Sequence, residues 1–198
     1  METKRSVMGE FRLQVKTLAV IVAGLWLVEI ADQVVFGGSL DGLGIRPRQT
    51  SGLWGIIFAP FLHGDFAHLI SNTLPFITLS WLIMLRSTED WLAVTLIAAV
   101  VGGLGTWLLG APSSVHIGAS GVIFGYFGFL LLRGYFERSL VAIAFSVLVF
   151  FLYGSILWGV LPRLDGAPIS WERHLFGFIG GVLAAKLMAK PKCKQSEF

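Results

Sequence analysis

The chain has 198 residues, 55% of them hydrophobic and 14% charged, with a formal net charge of +3 and a mean hydropathy of +0.77. A soluble domain of this length cannot hide that much apolar surface, since ordinary globular composition is about half apolar and about a quarter charged. The small positive balance is no nucleic-acid signal, because the basic residues gather at the ends of apolar runs.

The apolar surplus falls into several runs long enough to cross a bilayer as helices, without the alternation of transmembrane strands. The sequence therefore predicts an all-α, polytopic membrane protein with one domain. Cys193 is the single cysteine, which rules out an intrachain disulfide. Residues 1–16 are polar and basic, with Lys4, Arg5, Arg12 and Lys16. A first helix is predicted over 17–35, retained rather than cleaved because no clean small-residue site follows it. It carries Glu29 and Asp32 near its far end. They are read as lying near the outer interface, facing a loop or water.

Residues 36–62 are too broken by Gly and Pro to span and are read as a connection with an amphipathic, interfacial segment. Further helices are predicted over 66–85 and 91–109. The next, over 118–133, is short: about 16 residues give about 24 Å, against about 30 Å of hydrocarbon. It is therefore expected to begin below the membrane surface, with the preceding loop dipping in. The last two helices are predicted over 140–161 and 173–188. Six spans place both termini on one side, which collects Lys4, Arg5, Arg12, Lys16, Arg86, Arg133, Arg138, Lys186, Lys190, Lys192 and Lys194. The other side holds only Arg46, Arg48, Arg163 and Arg173. The positive-inside rule makes the first side cytoplasmic. The organisation expected is an N-terminal cytoplasmic segment (1–16), a six-transmembrane-helix domain (17–189) and a basic cytoplasmic tail (190–198).

This topology brings distant residues to one depth. The second, fourth and sixth predicted helices all run inward from the outer face. His68 and Asn72, Ser120, and His174 stand at their respective starts. A serine hydroxyl needs a base to take its proton, and His174 can serve as base and then acid. Glu172 is a possible third member but is read as solvated, so a Ser120–His174 dyad is the simpler expectation. The Ser120 amide at a helix N-terminus can donate to an oxyanion. His68 and Asn72, four apart, share a helix face and can both donate. His63 is assigned to the supporting shell. Gly121, Gly125 and Gly128 form one small-residue face and Gly177 and Gly181 another, so the two helices can approach closely.

The joint pattern resembles the rhomboid family of intramembrane serine proteases. It comprises His68-x3-Asn72, Gly118-Ala119-Ser120-Gly121, and His174 with Gly177 and Gly181, and covers nearly the whole chain. The resemblance implies a six-helix rhomboid-type bundle and a Ser120–His174 dyad. It assigns the oxyanion to the Ser120 amide, His68 and Asn72. The expected substrates are transmembrane proteins cleaved near the outer face of a bilayer, with no cofactor and no metal. Two departures from the family pattern stand out. Phe124 occupies the position where many members have a tyrosine stacked on the histidine; its ring is expected to keep the stack. The family's Trp-Arg pair in the first loop is not evident around Leu43-Gly44-Ile45-Arg46-Pro47.

A catalytically silent rhomboid-like protein that binds membrane proteins is the alternative, which loss of Ser120 or His174 would favour. A channel would place polar residues along mid-membrane rather than at one face. No His-Glu-x-x-His zinc motif and no deep aspartate pair are present. The compact form points to a prokaryotic inner membrane.

Overall fold

The computed structural model describes residues 6–162 and 170–189. The expected tail at 190–198, and the topology-setting residues Lys4, Arg5 and Arg163, lie outside the described residues.

Among the described residues the chain is helical, and four helices are long and apolar enough to cross a membrane by length and composition. Helix α1 spans Val7–Ala31, ten residues earlier than its apolar run begins. Ser6 starts it by accepting from the Gly9 amide. Gln14, Leu18, Leu25 and Glu29 are its buried residues, a stripe at helical spacing. Gln14 donates to the Met84 carbonyl, which explains why a polar residue is buried there. The helix runs on through a π turn, Asp32–Phe36, and is stopped by Gly37 and Gly38 in left-handed conformations.

Between α1 and the next long helix lie three 3-10 turns and the four-residue helix α2, Gly55–Phe58. Helix α3 spans Phe66–Met84 and α4 Thr88–Leu109, capped by the Asp65 and Ser87 side chains respectively. Helix α5, Ser120–Glu137, packs against α3, α4, α6 and α7 and buries most of its length. It is the axis of the bundle. Helix α6, Leu140–Tyr153, buries only Ala142 and Val149 and continues as a 3-10 segment, Gly154–Val160, with no buried residue. Helix α7 spans Trp171–Leu187.

The glycine faces of α5 and α7 meet. A Cβ at Gly177 would stand 2.0 Å from the Gly121 carbonyl oxygen, and one at Gly181 would stand 1.8 Å from that of Gly125. Only glycine permits this separation. The apolar side chains left exposed on α1, α3, α4 and α6, such as Val20, Leu74, Leu96 and Phe151, form the surface a bilayer would cover.

Of the two surroundings expected for Glu29 and Asp32, loop or water, they take the loop. Both are almost fully buried against the loop that follows α1. The Asp32 carboxylate accepts from the Leu40 amide, and Gln33 donates to Glu29. That loop needs no Trp-Arg pair of its own. Arg48 donates from its backbone to the Trp107 carbonyl and from its guanidinium to that of Leu108. The Trp107 indole returns a hydrogen bond to the Gln49 carbonyl, and Ile45 pairs as a lone β-bridge with His116.

Candidate active site

Three helix beginnings converge at one end of the bundle. Gly118 adopts φ +107°, a left-handed conformation that turns the chain from the loop into α5. Its amide donates to the Ala59 carbonyl, and its own carbonyl accepts from the Arg173 guanidinium at 2.7 Å. These bonds fix the residue preceding Ala119 and Ser120. The Ala119 amide points at His63 Nε2, 3.4 Å away.

Ser120 is the first residue of α5, and His174 lies in the first turn of α7. Ser120 Oγ is 2.9 Å from His174 Nε2. The other ring nitrogen, Nδ1, lies 2.9 Å from the Gly159 carbonyl oxygen. The imidazole is stacked on Phe124, with ring centroids 4.1 Å apart and planes 8° from parallel.

His68 closes the opposite side. A Cβ at Gly118 would stand 2.9 Å from His68 Nε2 and 3.6 Å from Ser120 Oγ. The imidazole therefore sits beside the same small space as the serine. Asn72 is buried one turn further along α3 and donates from Nδ2 to the His68 carbonyl at 2.8 Å. Its amide group has a second hydrogen to give. His63 packs edge-on to His68 at 5.1 Å. Burial, aided by His68 and Arg173, holds His63 down to about 3, so it is neutral at physiological pH.

The structure brings His63, His68, Gly118, Ser120, Phe124 and His174 together, with Asn72 one turn along α3, while Gly121 and Gly177 meet just below and Gly181 lies further down the α5–α7 seam against Gly125. Glu172 is buried rather than solvated, and the described partner of His174 Nδ1 is the Gly159 carbonyl. Sequence reasoning missed Arg173, whose position beside His174 was its only signal. It packs on Gly121, where an added Cβ would meet Arg173 Cγ and Nε at 2.9 Å. Among the described residues, no group of three or more metal-ligating side chains is placed to hold an ion.

A bundle of apolar helices with a cluster of polar side chains at one end is the build of a multi-pass membrane protein. The Rhomboid domain family matches residues 50–191, so the chain belongs to the rhomboid family. It is 45% identical to an uncharacterized protein of Mycobacterium tuberculosis over 184 residues, 90% of this chain and 76% of that protein. It is 31% identical over 140 residues to the Bacillus subtilis protein named "Putative rhomboid protease YdcA", covering 70% of this chain and 69% of that one. An Arabidopsis thaliana protein named "RHOMBOID-like protein 5" is 28% identical over 165 residues, 77% of this chain and 50% of the relative.

Proposed function

We propose that this protein is an intramembrane serine endopeptidase. It hydrolyses peptide bonds in or next to transmembrane segments of other membrane proteins, near the outer face of a prokaryotic inner membrane. The observation that carries the reading is the 2.9 Å approach of Ser120 Oγ to His174 Nε2.

The steps follow from the groups present. His174 Nε2 takes the Ser120 proton as Oγ bonds to the substrate carbonyl carbon. The oxyanion that forms is received by the Ser120 amide, His68 and Asn72. When the carbon–nitrogen bond breaks, Nε2–H gives its proton to the departing amine and an acyl-serine remains. Water, deprotonated by the same nitrogen, adds to the ester carbonyl. Breakage of the ester returns the proton to Oγ and frees the new carboxyl terminus. No cofactor is required.

The topology belongs to the same proposal. Helices α5 and α7 complete six spans with α1, α3, α4 and α6. Helix α5 is enclosed by its neighbours, so lipid does not select its composition, and α7 presents glycine to α5. Arg12, Lys16, Arg86, Arg133, Arg138 and Lys186 then share a cytoplasmic side with both termini.

Purified protein in detergent should cleave a reporter transmembrane substrate, and Ser120→Ala and His174→Ala should both abolish cleavage while melting normally. Equal cleavage by Ser120→Ala would sink the serine-peptidase reading. Binding without cleavage by any form would support the silent alternative.

A further inference from the structure

The base needs the correct tautomer before it can act. A carbonyl oxygen only accepts, so the 2.9 Å contact between Gly159 O and His174 Nδ1 places a hydrogen on Nδ1. A neutral imidazole has one N–H, which leaves Nε2 bare and facing Ser120 Oγ. The opposite tautomer would set two lone pairs against each other at Gly159. It would also present N–H to a serine whose proton must be removed.

We propose that the Gly159 carbonyl is the positioning group of the site, holding His174 in its Nδ1–H tautomer as a carboxylate does in a three-residue arrangement. The proposal rests on the peptidase reading. When Nε2 takes the serine proton, the contact at Gly159 becomes a charge-assisted hydrogen bond from the imidazolium. Residue identity supports the role. A Cβ at position 159 would stand 2.8 Å from Phe124 Cζ and 3.2 Å from His174 Nδ1. Glycine lets this backbone lie against the edge of the stacked pair. The carbonyl comes from the 3-10 extension of α6, which has no fully buried side chain and rests on the core through Ile156 and Leu157, so the tautomer of the base depends on a segment at the edge of the bundle.

The test uses the full-length protein in detergent. Wild type is first treated with a fluorophosphonate. An adduct at Ser120 that is absent from Ser120→Ala keeps the peptidase reading; no adduct sinks that reading, whatever Gly159 does. Nitrogen-15 spectra of the labelled histidines then report the tautomer of His174 independently of turnover, His174→Ala identifying the signal. The Nδ1–H tautomer at His174 is expected, and an Nε2–H tautomer in a protein that still forms the adduct overturns the proposal. Replacing Val160 by its α-hydroxy acid turns the 159–160 amide into an ester and weakens the carbonyl as an acceptor without adding bulk. Loss of the tautomer bias is expected, with a fall of about tenfold or more in kcat at little-changed KM and an altered pH–rate profile. The same ester at the 156–157 linkage serves as control. Unchanged kcat and pH profile in the 159–160 ester, or equal losses in the control, would overturn the proposal.

Discussion

Phe124 and His174 lie face to face, 4.1 Å apart and 8° from parallel. The ring restricts the imidazole to the plane in which Nε2 meets Ser120 Oγ. Phe124→Ala should lower kcat about tenfold to a hundredfold, in keeping with the cost of misplacing a reacting group by about an ångström. Phe124→Tyr should retain most activity, since the stack needs the ring and not a hydroxyl. Cleavage kinetics of the two variants check this, and full activity in Phe124→Ala would remove the orienting role.

Gly181→Ala should be among the most destabilising single substitutions in the chain. Its Cβ would stand 1.8 Å from the Gly125 carbonyl oxygen, a backbone atom with no rotamer to change. Overpacking costs about 1–3 kcal/mol where side chains can yield; the cost here should reach or exceed the top of that range. Thermal unfolding in detergent reads the loss, and activity should fall with the folded fraction.

Arg173 holds the Gly118 carbonyl at 2.7 Å and is itself almost fully buried. Arg173→Met should release that carbonyl and lower kcat by about tenfold or more through displacement of the Ser120 approach. Arg173→Lys should recover only part of it, because an ammonium cannot reproduce the guanidinium's planar reach. Fluorophosphonate labelling of Ser120 measures the same defect without a protein substrate.

Stability should carry two opposed pH dependences from the loop side of the site. Burial, with Asp32, Glu29 and Asp65 nearby, raises Asp41 from an ordinary 3.8 to about 6. A raised carboxyl stabilises the folded state most below its unfolded value, and that contribution is lost as pH rises through about 6. His63, lowered from 6.5 to about 3, acts the other way: its neutral form suits the fold, and stability falls as pH drops below 6.5. Asp41→Asn should therefore gain stability relative to wild type above pH 6 and lose that advantage near pH 4. Melting temperatures of both proteins across that interval test the sign.

Much of the candidate site could be read from spacing because three separated motifs each began a helix at the same end of the bundle. Glycine at intervals of about one turn announced the α5–α7 contact, since a missing side chain is itself visible in sequence. The start of α1 was not visible: its first turns mix charged and apolar residues, and what holds them helical includes a Gln14 bond to a carbonyl 70 residues away. The burial of Glu29, Asp32 and Glu172 was hidden for the same reason, because loop backbone and tertiary neighbours surround them rather than anything adjacent in sequence. The brace of the first loop was sought within that loop, whereas half of it, Trp107, comes from α4. Gly159 left no signal at all, for a carbonyl belongs to every residue.

Helix α6 is anchored by Ala142 and Val149, while the turn beyond it has no fully buried residue and only leans Ile156 and Leu157 on the core. Under the proposed peptidase function, shelf life and turnover should therefore depend mainly on different stretches of this polypeptide. A screen that ranks variants by resistance to heat will sample the α5–α7 seam and overlook the last turns before Leu161. Substitutions around Gly159 should change reactivity more than they change a melting curve, so libraries aimed at that tip should be sorted by reactivity instead.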